Sequence, residues 1–278
     1  MRMLLFISAV LLALAGAIVW TTPEWLLDTI AEQYPGCIYR VHTREPIVAL
    51  TLDDGPDSVS TPVILEELRK HGAGATFFVI SERVRGQEAL VRSIIAEGHE
   101  LGNHLSRQGP SIRLSAQEFE QDLLRAHQLL TQFTQPLWAR PASGWYTEAM
   151  VDAMTRHGYR CALGSVYPFD AAISSTSWAT NYILRNVEPG SIVILHEGGS
   201  RGKRTARVLT TVLPILRQRI SGCSSQRAVL DCPLDRKPAR DCGSSTALTF
   251  SVHPSAMGLD QMLNDRESEP GPALSARA

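Results

Sequence analysis

Two adjacent carboxylates, Asp53-Asp54, followed at once by Gly55-Pro56, are the first residues whose types call for chemistry. They close an apolar, β-prone run, Ile47-Val48-Ala49-Leu50-Thr51-Leu52. Neighbouring carboxylates repel each other and lose hydration beside an apolar strand. A fold keeps such a pair where a cation shares it or where one member serves as a base. Gly55-Pro56 turns the chain there and leaves both side chains at the rim of a core. The competing reading of these four residues alone is a solvated Asp-rich turn, so other groups must be found that converge on them. His104, Arg140 and His196 are such groups, each placed at the end of a short apolar run. An imidazole can ligate a metal or carry a proton, and a guanidinium can clamp a carboxylate.

The elements that must position these residues alternate. Strands are expected at 47–52, 75–80, 99–102, 137–140, 159–163 and 191–195. Between them the spacing predicts helices over 61–72, 88–97, 115–134, 147–157 and 177–186, with a last one over 205–219. Thr61 is the expected cap of the first, with Pro62 in its opening turn, and Ser115 with Glu118 forms a capping box. Strand-then-helix recurs about six times, which means a parallel sheet with crossover helices, open or closed into a barrel. Asp53, Asp54, His104, Arg140 and His196 all fall at the C-terminal ends of strands, the edge where parallel α/β folds carry their sites.

Composition bounds the rest. The chain has 278 residues, 44% hydrophobic and 20% charged, an ordinary globular balance. The formal net charge of -1 gives no electrostatic case for nucleic acid. The local run Arg201-Gly202-Lys203-Arg204 reads as a solvated helix start. Arg2 precedes an uncharged apolar run, and residues 1–21 read as a signal peptide or a signal anchor, which implies a secreted or membrane-anchored protein facing the exterior. Residues 22–46 read as a connector with a short amphipathic helix near 23–33. Residues 47–220 form the domain, and 221–278 an irregular, largely disordered tail. The cysteines are Cys37, Cys161, Cys223, Cys232 and Cys242, an odd number without a CxxC spacing, which argues against a zinc knuckle.

Taken together, the motifs resemble the polysaccharide deacetylases, the NodB-homology domain of carbohydrate esterase family 4, over roughly 47–220. The resemblance implies a distorted (β/α) barrel, with a seventh strand due soon after the last helix where Ser221-Gly222-Cys223-Ser224-Ser225 stands. Thr51-Leu52-Asp53-Asp54-Gly55-Pro56 resembles the first motif, which makes Asp53 the general base and Asp54 a ligand of a divalent metal, usually zinc. Gly98-His99-Glu100-Leu101-Gly102-Asn103-His104 resembles the approach to the second. His104 matches its first metal-binding imidazole, whereas Gln108 stands where the second is usual, and a neutral amide oxygen is a poorer zinc ligand. His99 reads as structural.

Trp138-Ala139-Arg140-Pro141-Ala142-Ser143-Gly144-Trp145 resembles the third motif, with Arg140 clamping the base, turn amides at the oxyanion, and Trp145 and Tyr146 walling a sugar site. Asp170, in Tyr167-Pro168-Phe169-Asp170, is the matching orienter of a catalytic histidine. Ile194-Leu195-His196-Glu197-Gly198 resembles the fifth motif, which implies His196 as the acid, Leu195 lining an acetyl pocket, and Glu197 in place of the usual Asp. The implied reaction is metal-dependent removal of N-acetyl groups from N-acetylglucosamine units of a chitin-like or peptidoglycan-like polysaccharide or oligosaccharide. Because of Gln108, the alternative is a catalytically impaired carbohydrate-binding protein on the same scaffold. A third reading is a wall-associated protein tethered to a membrane through 1–21.

Overall fold

Apolar runs bounded by Gly and polar turns become strands at all six expected places, and one further strand joins them. A computed structural model of the chain describes residues 23–33, 36–43, 45 and 47–230, together with Phe6 and Gly16. The expected leader or anchor over 1–21 lies almost wholly outside the described residues, as does the chain beyond 230. In chain order the elements are α1 (Glu24–Gln33), β1 (Cys37–Ile38), β2 (Ala49–Gly55), α2 (Thr61–His71), β3 (Thr76–Val79), α3 (Glu88–Ala96) and β4 (Glu100–Asn103). Then come α4 (Ala116–Leu130), β5 (Trp138–Ala139), α5 (Glu148–Arg156), β6 (Arg160–Ala162), α6 (Thr176–Asn186), β7 (Ile192–His196) and α7 (Gly199–Leu230). Short 3-10 turns at Ser81–Arg83 and Ser111–Arg113 sit between them.

The strands make one seven-stranded sheet in the order β1-β6-β5-β4-β3-β2-β7, parallel throughout. The sheet curls toward closure at its two edges. The segment after β6 bridges β7 through Val166 and Val193, and Arg40 bridges Ser191. This is a distorted (β/α) barrel. The seventh strand is β1, which comes from the stretch read as a connector and not from a segment after the last helix. Two residues, Cys37 and Ile38, are too few to show a period of two, and only their register against Cys161 and Ala162 makes them a strand. The two buried thiols, Cys37 and Cys161, are free and face each other with their Sγ atoms 3.0 Å apart.

Two helix starts also differ from expectation. Ser60 occupies the cap of α2 and Thr61 is its first helical residue, so the Thr61 hydroxyl is released for another partner. The final helix begins at Gly199 instead of Thr205 and continues to Leu230, through the first part of the stretch expected to be irregular. The capping box of Ser115 and Glu118 forms as expected.

Alternation along the strands separates two cores. Leu50, Leu52, Phe77 and Leu195 point outward and pack with Ile64 and Leu68 of α2, Ile183 of α6 and Leu209 of α7. Each such fully buried side chain contributes about 1.5–3 kcal/mol. Ala49, Phe78, Trp138, Ala162 and Ile192 line the inward face. The charged residues of the site sit above this inner layer, at the strand ends.

Candidate active site

Strict alternation would send Asp53 and Asp54 to opposite faces of β2. It does not, because the pairing with β3 slips between Asp53 and Gly55, a bulge at Asp54. Asp54 sits there with φ 69°, a backbone region that Asp tolerates better than most residues. Both carboxylates thereby line one pocket of about 460 Å³, with His104, Gln108, Arg140, Tyr167, His196 and Arg201 among its other walls. Both are also buried, Asp53 at 4% and Asp54 at 9% exposure. Gly55 has to be glycine, since a Cβ there would lie 2.2 Å from Glu197 Oε2.

Arg140 crosses the barrel interior to reach Asp53. Its Nη1 donates to Asp53 Oδ1 at 2.5 Å and to Thr51 Oγ1 at 2.8 Å. Nε donates to Ala162 O at 2.8 Å and Nη2 to Leu163 O at 3.0 Å, while the guanidinium lies 4.0 Å over the Phe78 ring. At 1% exposure this charge is tolerable only because its donors are engaged and its counter-charge is in contact. The arrangement fixes the orientation of the Asp53 carboxylate and the direction of its lone pairs.

His104 follows β4 on a turn held by Asn103, whose side chain accepts from Leu105 N and donates to Leu123 O and Tyr159 OH. His104 Nδ1 donates to Arg140 O at 2.8 Å, which leaves the Nε2 lone pair directed at the carboxylates, 3.6 Å from Asp54 Oδ1 and 3.9 Å from Asp53 Oδ2. That tautomer and spacing suit a cation shared by Asp54 and His104. Gln108 lines the same pocket, but its Oε1 accepts from Arg83 Nη2 at 2.9 Å. Among the described residues no group of three His, Cys, Asp or Glu side chains converges as a metal site. Asp54 and His104 bring together two donors, an oxygen and a nitrogen, of the kinds a divalent ion takes.

Beside Asp53, and in register with it on the neighbouring strand, His196 ends β7. Its Nδ1 bonds Asp170 Oδ1 at 2.9 Å and its backbone N donates to Asp170 Oδ2 at 3.0 Å, so one carboxylate fixes both ring and chain. Burial by itself lowers the pKa of His196. The hydrogen bond and charge of Asp170, backed by Asp53 and Asp54, outweigh it and leave the pKa raised. Tyr167 stacks edge-on against the imidazole at 5.8 Å, and burial pushes its hydroxyl up to about 12.

Beneath the pair lies Glu197, fully buried, with Thr61 Oγ1 donating to its Oε2 at 2.7 Å and no partner for Oε1. Burial drives its carboxyl to a pKa of about 8, so it is a neutral acid through most of the physiological range. His99 stands apart from this pocket, packed on Phe77, its pKa lowered by burial to about 4, in line with a structural role.

Three expectations are corrected by the fold. Leu195 does not line the pocket. It points outward into the helix-facing core, because His196 and Ile194 take the inward positions of β7 and alternation sends Leu195 the other way. Trp145 does not wall the pocket either: it is 69% exposed, one residue beyond the lining Gly144. Tyr146 is half-buried against the cluster that contains Met150, and its hydroxyl meets that of Tyr39 at 2.5 Å, so Tyr39 and Tyr167 are the aromatics that reach the pocket wall.

The run Arg201–Thr205 is the largest omission of the sequence reading. Arg201 Nη2 is 2.9 Å from Asp54 Oδ2, Arg204 Nη2 donates to Asp170 O at 3.3 Å, and Thr205 Oγ1 donates to His196 O at 2.7 Å. Arg83, from the turn after β3, donates through Nη1 to Asp54 O. The available signal was spacing: positions 201, 204 and 205 share one helical face, directly after the His196 strand end.

The sequence pattern of the family described as polysaccharide deacetylase matches residues 40–162. A peptidoglycan-N-acetylglucosamine deacetylase of Bacillus cereus is 34% identical over 183 residues, 65% of this chain and 86% of that protein. A chitooligosaccharide deacetylase of a Bradyrhizobium strain is 31% identical over 186 residues, 62% and 85% of the two chains. Among solved structures, a peptidoglycan N-acetylglucosamine deacetylase bound to an N-hydroxybenzamide superposes with a TM-score of 0.63 at 28% identity, covering 68% of this chain and 89% of that one.

Proposed function

The chain belongs to the polysaccharide deacetylase family, and on that premise we propose that it hydrolyses N-acetyl groups of N-acetylglucosamine units in a peptidoglycan-like or chitin-like saccharide. The observation that carries this reading is a base and an acid at adjoining strand ends in one pocket: Asp53, clamped by Arg140, and His196, held by Asp170. Acetamide hydrolysis needs that pairing. Water attacks the carbonyl carbon as Asp53 accepts its proton. Collapse of the tetrahedral adduct breaks the C–N bond as His196 donates a proton to the departing nitrogen. Acetate and a free amino sugar result.

Each wall has a part in this scheme. In the turn after Arg140, where Ser143 and Gly144 both have positive φ, Ala142 N and Gly144 N already donate to Ser111 Oγ and Pro141 O, so the oxyanion role falls to the Ser143 amide. Ile194 and Leu163 supply the apolar lining for the acetyl methyl that Leu195, facing away, cannot supply. Tyr39 and Tyr167 offer aromatic faces to a sugar ring. A divalent ion, zinc by the chemistry of a mixed oxygen and nitrogen donor pair, would be held by Asp54 and His104, with the Gln108 amide at the margin. When bound it supplies Lewis acidity to the attacking water. Arg2 and the apolar residues that follow it support action outside the cytoplasm, where such polymers lie.

Acetate release from N-acetylglucosamine oligomers and from peptidoglycan fragments tests the proposal. The expected result is release by the wild type and loss in Asp53→Asn. Tight oligomer binding without release would replace the enzyme by a carbohydrate-binding protein.

A further inference from the structure

Asp54 serves two demands that exclude each other. In the function proposed above, its carboxylate and His104 Nε2 are what a divalent ion would bind. In the structure Asp54 Oδ2 is already paired with Arg201 Nη2 at 2.9 Å. The neighbourhood is cationic beyond that pair. Arg140 holds Asp53, Arg83 donates to the Asp54 carbonyl, and Arg83 also takes the Gln108 oxygen that could have served as a third donor. The guanidinium groups around the two carboxylates thus outnumber them. A divalent ion entering with Arg201 in place would find its principal ligand neutralised and a like charge beside it.

Arg201 is not where it is by chance. The start of α7 is clamped against the site: Gly198 N donates to Ser60 Oγ at 3.3 Å and Gly199 N to Asp57 Oδ2 at 3.2 Å. Gly202 packs so closely that a Cβ there would lie 2.2 Å from both Cβ and Oγ of Ser60. The backbone is fixed, so the side chain is the movable part. With a quarter of its surface exposed, it has solvent to swing into, unlike Arg140 at 1%.

We infer that Arg201 is a tethered counter-cation that occupies the metal position of Asp54 and must leave for a divalent ion to bind, so that Arg201 governs the metal affinity of the site. This rests on the reading of Asp54 and His104 as metal donors. With Arg201 on Asp54 the carboxylate stays satisfied in the metal-free protein. Entry of the ion exchanges one charge partner for another and frees the guanidinium toward the mouth of the pocket.

Zinc titration of the full chain by calorimetry, with competition against a chromophoric chelator for the tighter binders, tests it. Arg201→Gln is expected to bind zinc about two- to five-fold more tightly than the wild type, the size of one partly exposed ion pair removed from the competition. Arg201→Lys, which keeps the charge, stays near the wild type and controls for damage to the fold. Gln108→His combined with Arg201→Gln tightens binding further, and Asp54→Asn abolishes it in every background. Equal zinc affinity in the wild type and Arg201→Gln overturns the role of Arg201 while the metal reading stands. Absence of zinc binding in Arg201→Gln, with its circular dichroism unchanged, overturns both.

Discussion

Asp53 and Asp54 are neighbours in the chain, yet each meets an arginine of a different kind. Asp53 is bound inside the barrel by Arg140, whose donors reach two carbonyls, a hydroxyl and the carboxylate. Asp54 is bound at the rim by Arg201 through a single contact, on a side chain a quarter exposed. The first pair is part of the framework: separating it strands a charge among buried groups. The second is exchangeable, because water or another cation can replace either partner at little loss. A single bulged strand end thus presents one carboxylate that is rigidly held and one that is open to exchange.

The most damaging way to break this contrast is Arg140→Ala. It leaves Asp53 and the Ala162 and Leu163 carbonyls without their donor, and a loss of about 3–5 kcal/mol in unfolding free energy is expected in denaturant titrations. Asp53→Asn comes next. It removes the base with less damage to packing and should lower kcat/KM for acetate release by about 10²–10⁴-fold.

Two pH experiments sharpen the comparison with smaller effects. Glu197 has a folded pKa of about 8 against 4.5 in a model peptide, so between these values the folded state holds the proton more firmly. Its contribution to stability is therefore complete below about pH 4.5 and is lost progressively up to about pH 8. Thermal melts of Glu197→Gln should lose that downward slope. The raised pKa of His196 means that its protonated, hydrogen-bonded form stabilises the fold fully below the ordinary histidine pKa and ceases to do so as pH rises through the raised value. The alkaline limb of kcat should follow the same titration, and Asp170→Asn should move that limb to lower pH while also lowering kcat. The smallest effect expected is on stability in Arg201→Gln, about 0–1 kcal/mol, which marks the pair as exchangeable. A loss as large as that of Arg140→Ala would erase the distinction between the two arginines.

The rhythm of the fold was legible in the chain because it is local. Apolar runs such as 47–52 and 191–195, the Ser115 and Glu118 box and the Gly-terminated helices announce themselves within a few residues. The strand-end residues Asp53, His104, Arg140 and His196 could be placed at one edge on the same ground. β1 could not be read, because two residues carry no period. The phase of β7 was equally hidden: a run of four apolar residues does not say which alternate members face inward, and Leu195 was assigned the place that Ile194 holds.

What the sequence by itself determined is the alternating architecture and the identity of the groups at the C-terminal edge of its strands, since both follow from hydrophobic period and residue chemistry. Only the tertiary structure decided which way those groups point and what they touch. The bulge at Asp54 turns two carboxylates to one pocket, Glu197 becomes a buried neutral acid beneath Gly55, and a run of cations that reads as solvated instead reaches Asp54 and Asp170. Each of these depends on contacts between residues more than twenty positions apart in the chain, and no local propensity encodes the partner at the far end.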